Sequence, residues 1–197
     1  MAETDQRLSL SDRFLSIARS PKLLPFLLLF AVFETTFIPL PYEAVFVALC
    51  LAARPLIVAL ISVSVLGSAI GGSIVYWLGA TYFDDVVLRL GIEELAATYS
   101  ERFAERGASF IFLGGTTPAP SFVINLIAGA VGYPYGEFVG IFSASRLLRF
   151  GVLGLLLFVF GDQLIAAWSR LPAFVRRGLT VLLILGLIYW FVSGLTG

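Results

Sequence analysis

The sequence predicts an all-α, polytopic membrane protein built from two re-entrant helical hairpins in inverted repeats, with spanning helices and one interfacial amphipathic helix. Three observations predict it. Of 197 residues, 59% are hydrophobic and 13% charged, about half the charged share of a soluble domain, and the mean hydropathy is +0.97. Residues 56–78 hold 23 positions without a charge, enough for a helix to cross the ~30 Å hydrocarbon core. Two further apolar segments are each interrupted by a Pro-x-Pro pair, Pro39/Pro41 and Pro118/Pro120, which removes backbone donors and biases the preceding residues away from helix.

The same composition excludes several functions. Thirteen Lys and Arg balance thirteen Asp and Glu, so no basic field exists to hold nucleic acid. Histidine is absent, which removes the commonest general base, the His-containing triads and the His-based metal sites. The single Cys50 cannot form an intrachain disulfide, and no residue cluster calls for a metal or a cofactor. Function is left to carboxylates, arginines, hydroxyls, backbone dipoles and shape.

Residues 1–22 form a polar N-terminal segment with Arg7, Arg13, Arg19 and Lys22. The apolar run 23–33 follows it as in a signal peptide. No small-residue cleavage site comes next, however, and Glu34 interrupts the run, so the segment is read as retained. Its 11 residues are about half of the ~20 a helix needs to span a bilayer, so it enters the membrane without crossing. Residues 44–53 are a second short apolar stretch, and the prolines force a break between 37 and 42. Together they read as a hairpin that dips in and returns, its tip buried by protein or lining a wet cavity.

Residues 56–78 make the first span. Gly67, Ser68, Gly71, Gly72 and Ser73 give it a small-residue face that lets a neighbouring backbone approach. That neighbour is either another part of this chain or a second copy, so a homodimer is a candidate assembly. Residues 81–107 carry nine of the 26 charges, and Leu95, Tyr99 and Phe103 recur at i, i+4 and i+8, an interfacial amphipathic helix stopped at Gly107. Residues 110–132 are apolar and broken again at Pro118 and Pro120. Residues 138–160 form a span with Arg146 and Arg149 inside it. A polar connection with Arg170, Arg176 and Arg177 occupies 161–178, and 179–195 make a last span. Trp168, Tyr189 and Trp190 suit the interfaces. The chain thus divides into the polar segment 1–22, a membrane domain 23–160 (repeat one 23–78, interfacial segment 81–107, repeat two 110–160) and a C-terminal part 161–197.

The repeat is visible in the prolines. Pro39, Pro41 and Pro55 coincide with Pro118, Pro120 and Pro134 at one offset of 79 residues. If each hairpin returns to its own side, a unit of hairpin plus span runs opposite to the next, the arrangement in which transporters place a substrate site between repeats. Placing the N-terminus in the cytoplasm puts eight cations on that side (Arg7, Arg13, Arg19, Lys22, Arg54, Arg170, Arg176, Arg177) and three on the other (Arg89, Arg102, Arg106), as the positive-inside rule requires.

Glu34 and Glu43 flank the first proline pair, where a carboxylate at bilayer depth costs ~2.5–3.5 kcal/mol. Either both are solvated at the interface, or at least one takes up a proton or organises a polar cavity. Arg146 and Arg149, three apart on one helix face, either bind an anionic head group through their guanidinium forks, or pair with Glu34 or Glu43 as a structural ion bridge, or snorkel to the surface. Thr116, Thr117, Ser121 and Asn125 supply neutral polar groups at the second tip. They cap free backbone groups, and a helix starting near Ser121 would also favour an anion at its N-terminus. Glu137 and Asp162 read as interfacial charges.

These residues resemble the DedA family, whose members share the VTT, or SNARE-associated, domain. The resemblance rests on Phe33-Glu34, the turn from Pro39 to Glu43, the small-rich span ending at Gly79, the stretch from Phe103 to Gly107 and that from Pro118 to Gly129, in that order. It covers residues 23–160, and Arg146-Leu-Leu-Arg149 is similar to a YqaA-like subgroup. It implies two facing re-entrant hairpins and a role in moving lipids: recycling of undecaprenyl phosphate or flipping of phospholipid in bacteria, linked to proton motive force, and scrambling in eukaryotes. By position Glu34 and Glu43 match the family's embedded acidic residues. The chain departs from the pattern at Gly115 and Ser121, where arginines are expected, and Arg146 and Arg149 are the candidate replacements.

The expectation is a multi-pass transporter of the bacterial plasma membrane rather than an enzyme, acting on a phosphate-bearing lipid as flippase or scramblase. An ion or small-solute transporter using the same cavity and a membrane-embedded lipid-modifying enzyme are the alternatives. Glu34 and Glu43 would couple to protons, and Arg146, Arg149, Ser121, Thr116, Thr117 and Asn125 would bind the head group.

Overall fold

The computed structural model describes residue 20, residues 22–36, 42–117 and 121–172, and single helical residues at 174, 178, 181 and 186. Pro39, Pro41, Pro118 and Pro120, the last span, Tyr189 and Trp190, and the side chain of Trp168 lie outside the described residues. Among those described, all regular structure is helical: α1 (Leu23–Thr36), α2 (Tyr42–Ala52), a 3-10 turn (Arg54–Leu56), α3 (Ile57–Leu90), α4 (Glu93–Thr116), α5 (Ser121–Ala130) and α6 (Tyr135–Arg170). The first half runs short, short, long; the second runs from the 24-residue α4 through the short α5 to the long α6.

Two boundaries differ from expectation. α3 runs past residue 78 to Tyr82, which leaves helical geometry (φ −135°, ψ 30°), and a second, charged helical piece continues from there to Leu90. Polarity alone does not stop a helix, since Asp and Arg tolerate one within a few tenths of a kcal/mol, roughly; it only carries the helix out of lipid. Up to the kink at Tyr82 α3 is about 38 Å long, enough to cross the bilayer core. It closes on Gly91 (φ 63°), the left-handed residue such an ending favours. Likewise α6 runs through Gly161 to Arg170, where a polar connection was expected. Pro172 is the first residue after Pro134 that forbids a helical interior.

α4 combines two pieces. Its amphipathic part buries Ala96 and Phe103, with Leu95 and Tyr99 packed beside them, as the spacing predicts. Gly107 (φ 31°, ψ −100°) leaves helical geometry, as expected of the stop, and a second helical piece runs from there through apolar residues up to Thr116.

The small-residue face of α3 is used within the chain. Gly67 lies against Ala31 and the Leu28 carbonyl, and Gly71 against the Val32 carbonyl and Thr35, which seats α1. Further along, Gly79 meets the Leu126 carbonyl and Gly129 the Tyr76 carbonyl, so α3 and α5 touch backbone to backbone where any Cβ would overlap. α2 rests mainly on α6, with the Phe46 and Phe150 rings 5.1 Å apart and the Tyr42 and Phe150 rings 5.5 Å apart. The short helix before each span thus leans on the long helix of the other half.

α3 with its leading turn and α6 are long and apolar enough to cross a membrane, by length and composition. Their outward faces expose Leu66, Ile70, Ile74 and Trp77 on α3 and Leu147, Leu155 and Phe158 on α6. Ser64, Ser68, Asn125, Ser145 and Arg146 are buried instead. An apolar exterior around a polar interior suits lipid as the surrounding solvent.

Candidate functional site

Glu34 lies in the last turn of α1 and Glu43 in the first turn of α2. In the second half, α4 ends at Thr116 and α5 opens at Ser121. α6 passes both breaks and presents Arg146 and Arg149 to them. Arg149 donates from one nitrogen to the Glu43 carboxylate and from another to the Thr117 carbonyl at 3.2 Å. Arg146 donates to Ser121 Oγ at 2.8 Å and lies 5.0 Å from the centre of the Phe142 ring. Thr35 Oγ1 donates to Glu34 Oε2 at 3.1 Å.

The two carboxylates and two guanidinium groups are close enough for all four to interact electrostatically. Their formal charges cancel, as a cluster in a poor dielectric requires. Burial differs among them. Arg146 is 1% exposed, whereas the side chains of Arg149 and Glu43 are 19% and 42% exposed. The inner guanidinium has one hydrogen bond among the described residues, to a neutral hydroxyl.

Of the two positions where the resemblance leads one to expect arginines, Gly115 is closed to one. Gly115 is buried against Ser145, whose hydroxyl a Cβ at 115 would overlap. At Ser121 the cation arrives from α6 instead, through Arg146. Charge at the second break therefore comes from the following helix.

Thr116 and Thr117 do not join the site through their hydroxyls. These bond back to the carbonyls of Phe112 at 2.8 Å and Leu113 at 2.7 Å, the i−4 pairing open to threonine on a helix; only the Thr117 carbonyl meets an arginine. Asn125 is buried beside Gly72 and Phe142, and its side-chain nitrogen has no partner. Sequence reading missed Ser68, whose buried hydroxyl is also unpartnered, because serine among glycines reads as a packing residue. It also missed the fork between Arg54 and Asp162, two bonds of 2.7 Å, since a partner 108 positions away leaves no local signal.

A family model described as the VTT domain matches residues 38–163. A Haemophilus influenzae protein described as an "Uncharacterized protein" is 25% identical over 168 residues, covering 81% of this chain and 83% of its own length. No solved structure matches the chain.

Proposed function

Because the chain belongs to the VTT-domain family, the DedA family of membrane proteins, we propose that it is a transporter rather than an enzyme, moving a phosphate-bearing lipid across the bacterial plasma membrane. Undecaprenyl phosphate and glycerophospholipids are the candidate substrates, and the activity is that of a flippase or scramblase. The observation that carries this reading is the buried Arg146 at the opening of α5, beside the Glu43–Arg149 pair, inside otherwise apolar helices. Guanidinium suits phosphate oxygens bidentately, and the N-terminus of α5 adds free amides of the right polarity.

α1, α2 and α5, with 14, 11 and 10 residues, are about 15 to 21 Å long, too short to span. We read them as the arms of two re-entrant hairpins in a multi-pass protein, meeting where the charges meet. Arg149 and Glu43, the more exposed members, form the mouth, and Glu34 and Glu43 are the groups through which protons would couple. Carboxylates next to arginines can trade protonation against an arriving anion.

The test is reconstitution into vesicles with labelled undecaprenyl phosphate or labelled glycerophospholipid, following leaflet exchange with and without a pH gradient. Exchange faster than in empty vesicles is expected, with acceleration by the gradient if Glu34 or Glu43 couples to protons. Equal rates with and without protein would overturn the lipid reading and leave an ion or small-solute transporter, which would use the same charges.

A further inference from the structure

Among the described residues, three buried side-chain polar atoms have no hydrogen-bond partner: Ser68 Oγ on α3, Asn125 Nδ2 on α5 and Arg146 Nε on α6. They belong to one junction. Asn125 lies one turn beyond Ser121 on the same face of α5, and Phe142 one turn before Arg146 on α6. Arg146 bonds Ser121 and covers Phe142; Asn125 Nδ2 and the Phe142 ring both lie against Gly72; and Ser68 is one turn before Gly72 on α3.

Ser68 is unlike its neighbours. Ser62, Ser64 and Ser73, the other serines of α3, donate to the carbonyl four residues back, at 2.9, 2.6 and 2.7 Å. Ser68 does not, although it is fully buried. A buried polar group without a partner is disfavoured, and three linked through Gly72, Phe142 and Ser121 call for an explanation in what they share. All three can donate: the amide nitrogen and Nε only donate, and the hydroxyl has its proton free. Each of the three lacks an acceptor among the described residues. Glu34 acts on Arg146 through its charge, but no hydrogen bond or ion pair joins the two among the described residues, and its Oε2 accepts from Thr35.

We propose that Arg146, Asn125 and Ser68 form an inner subsite for a phosphate oxyanion, distinct from the outer station at Arg149, which Glu43 already occupies. The subsite rests on the head-group reading above for the identity of the oxyanion, and its donors serve a lipid phosphate or free phosphate alike. On this division the two arginines act in sequence, Arg149 at the mouth and Arg146 inside.

The test titrates the full chain in detergent micelles, by calorimetry, with dodecyl phosphate, inorganic phosphate and dodecanol. Dodecyl phosphate should bind and dodecanol should not. Ser68→Ala and Asn125→Leu should each weaken dodecyl phosphate roughly tenfold, the loss of one hydrogen bond to a charged group. Gly140→Ala, a position with nothing within 4 Å of its Cβ, should leave affinity unchanged. Inorganic phosphate binding with the same sensitivities would support the subsite and extend it to the free ion. Ser68→Ala removes only an unpartnered hydroxyl and should keep its unfolding temperature, so loss of binding there does not report misfolding. Unchanged affinity in both variants, or no binding of either phosphate compound, overturns the subsite. Tenfold losses without leaflet exchange would remove the transport reading and leave the subsite standing.

Discussion

Arg149 on α6 holds the carboxylate of Glu43 on α2 across 106 residues of sequence. The same guanidinium reaches the Thr117 carbonyl at the end of α4, so one side chain ties the break in the first half to the break in the second. α2 leans chiefly on α6, and this pair is its polar anchor at the site.

Replacing Glu43 and Arg149 singly and together should therefore give effects that do not add. Both groups are partly exposed, which screens the pair, and a coupling of about 1 kcal/mol is expected in a double-mutant cycle. Thermal unfolding in detergent of Glu43→Gln, Arg149→Gln and the double variant measures it. Strictly additive losses would mean that the pair does not hold α2.

Arg146→Met should separate stability from function. Made together with Glu34→Gln, which keeps the charges of the cluster balanced, it replaces a buried cation by an apolar side chain of similar length and is expected to leave stability unchanged or raise it. Leaflet exchange in vesicles should fall to that of empty vesicles. A variant that unfolds more readily yet still exchanges lipid at the original rate would contradict both halves of the expectation.

The fork between Arg54 and Asp162 has better geometry than the Glu43–Arg149 pair but a wetter setting, with the Asp162 side chain 82% exposed. Asp162→Asn should cost less than about 1 kcal/mol, a loss reduced further by salt, and leaflet exchange should be unaffected. Unfolding curves at low and high ionic strength check the first point.

Backbone contact between α3 and α5 makes a sharper prediction. Gly79→Val and Gly129→Val each place atoms where a carbonyl already lies, and a loss of ~3 kcal/mol or more is expected. Gly140→Ala, with open space around it, should be neutral within ~0.5 kcal/mol. Gly115→Arg, which would give the second break its expected arginine, should not accumulate as folded protein, because Ser145 fills that space. Expression followed by size-exclusion profiles in detergent distinguishes these outcomes.

Much of the fold was legible because its signals are local. Apolar runs, the small-residue face of α3, the i, i+4 and i+8 apolar stripe of α4 and the turn-forming glycines each act over a few residues. The ends of α3 and α6 were misjudged for the same reason, since a change from apolar to polar composition reports where a helix leaves lipid and not where it stops. Glu34, Glu43, Arg146, Arg149 and Ser121 stood out as charges or caps where hydropathy excludes them. Ser68 did not, since only its failure to bond back to its own helix distinguishes it from Ser64.

The sequence by itself determined an all-helical membrane protein with two interrupted segments and four misplaced charges, because hydropathy and hydrogen-bonding capacity belong to individual residues. Only the tertiary structure decided which arginine meets which partner. Arg149 reaches Glu43 and Arg146 reaches Ser121 because α6 crosses both breaks, with its Phe142 ring seated on Gly72 and its Gly154 against Ile61 of α3. It also decided that the small-residue face is used inside one chain, since the volume left by each missing side chain is filled by a neighbour that no local pattern identifies.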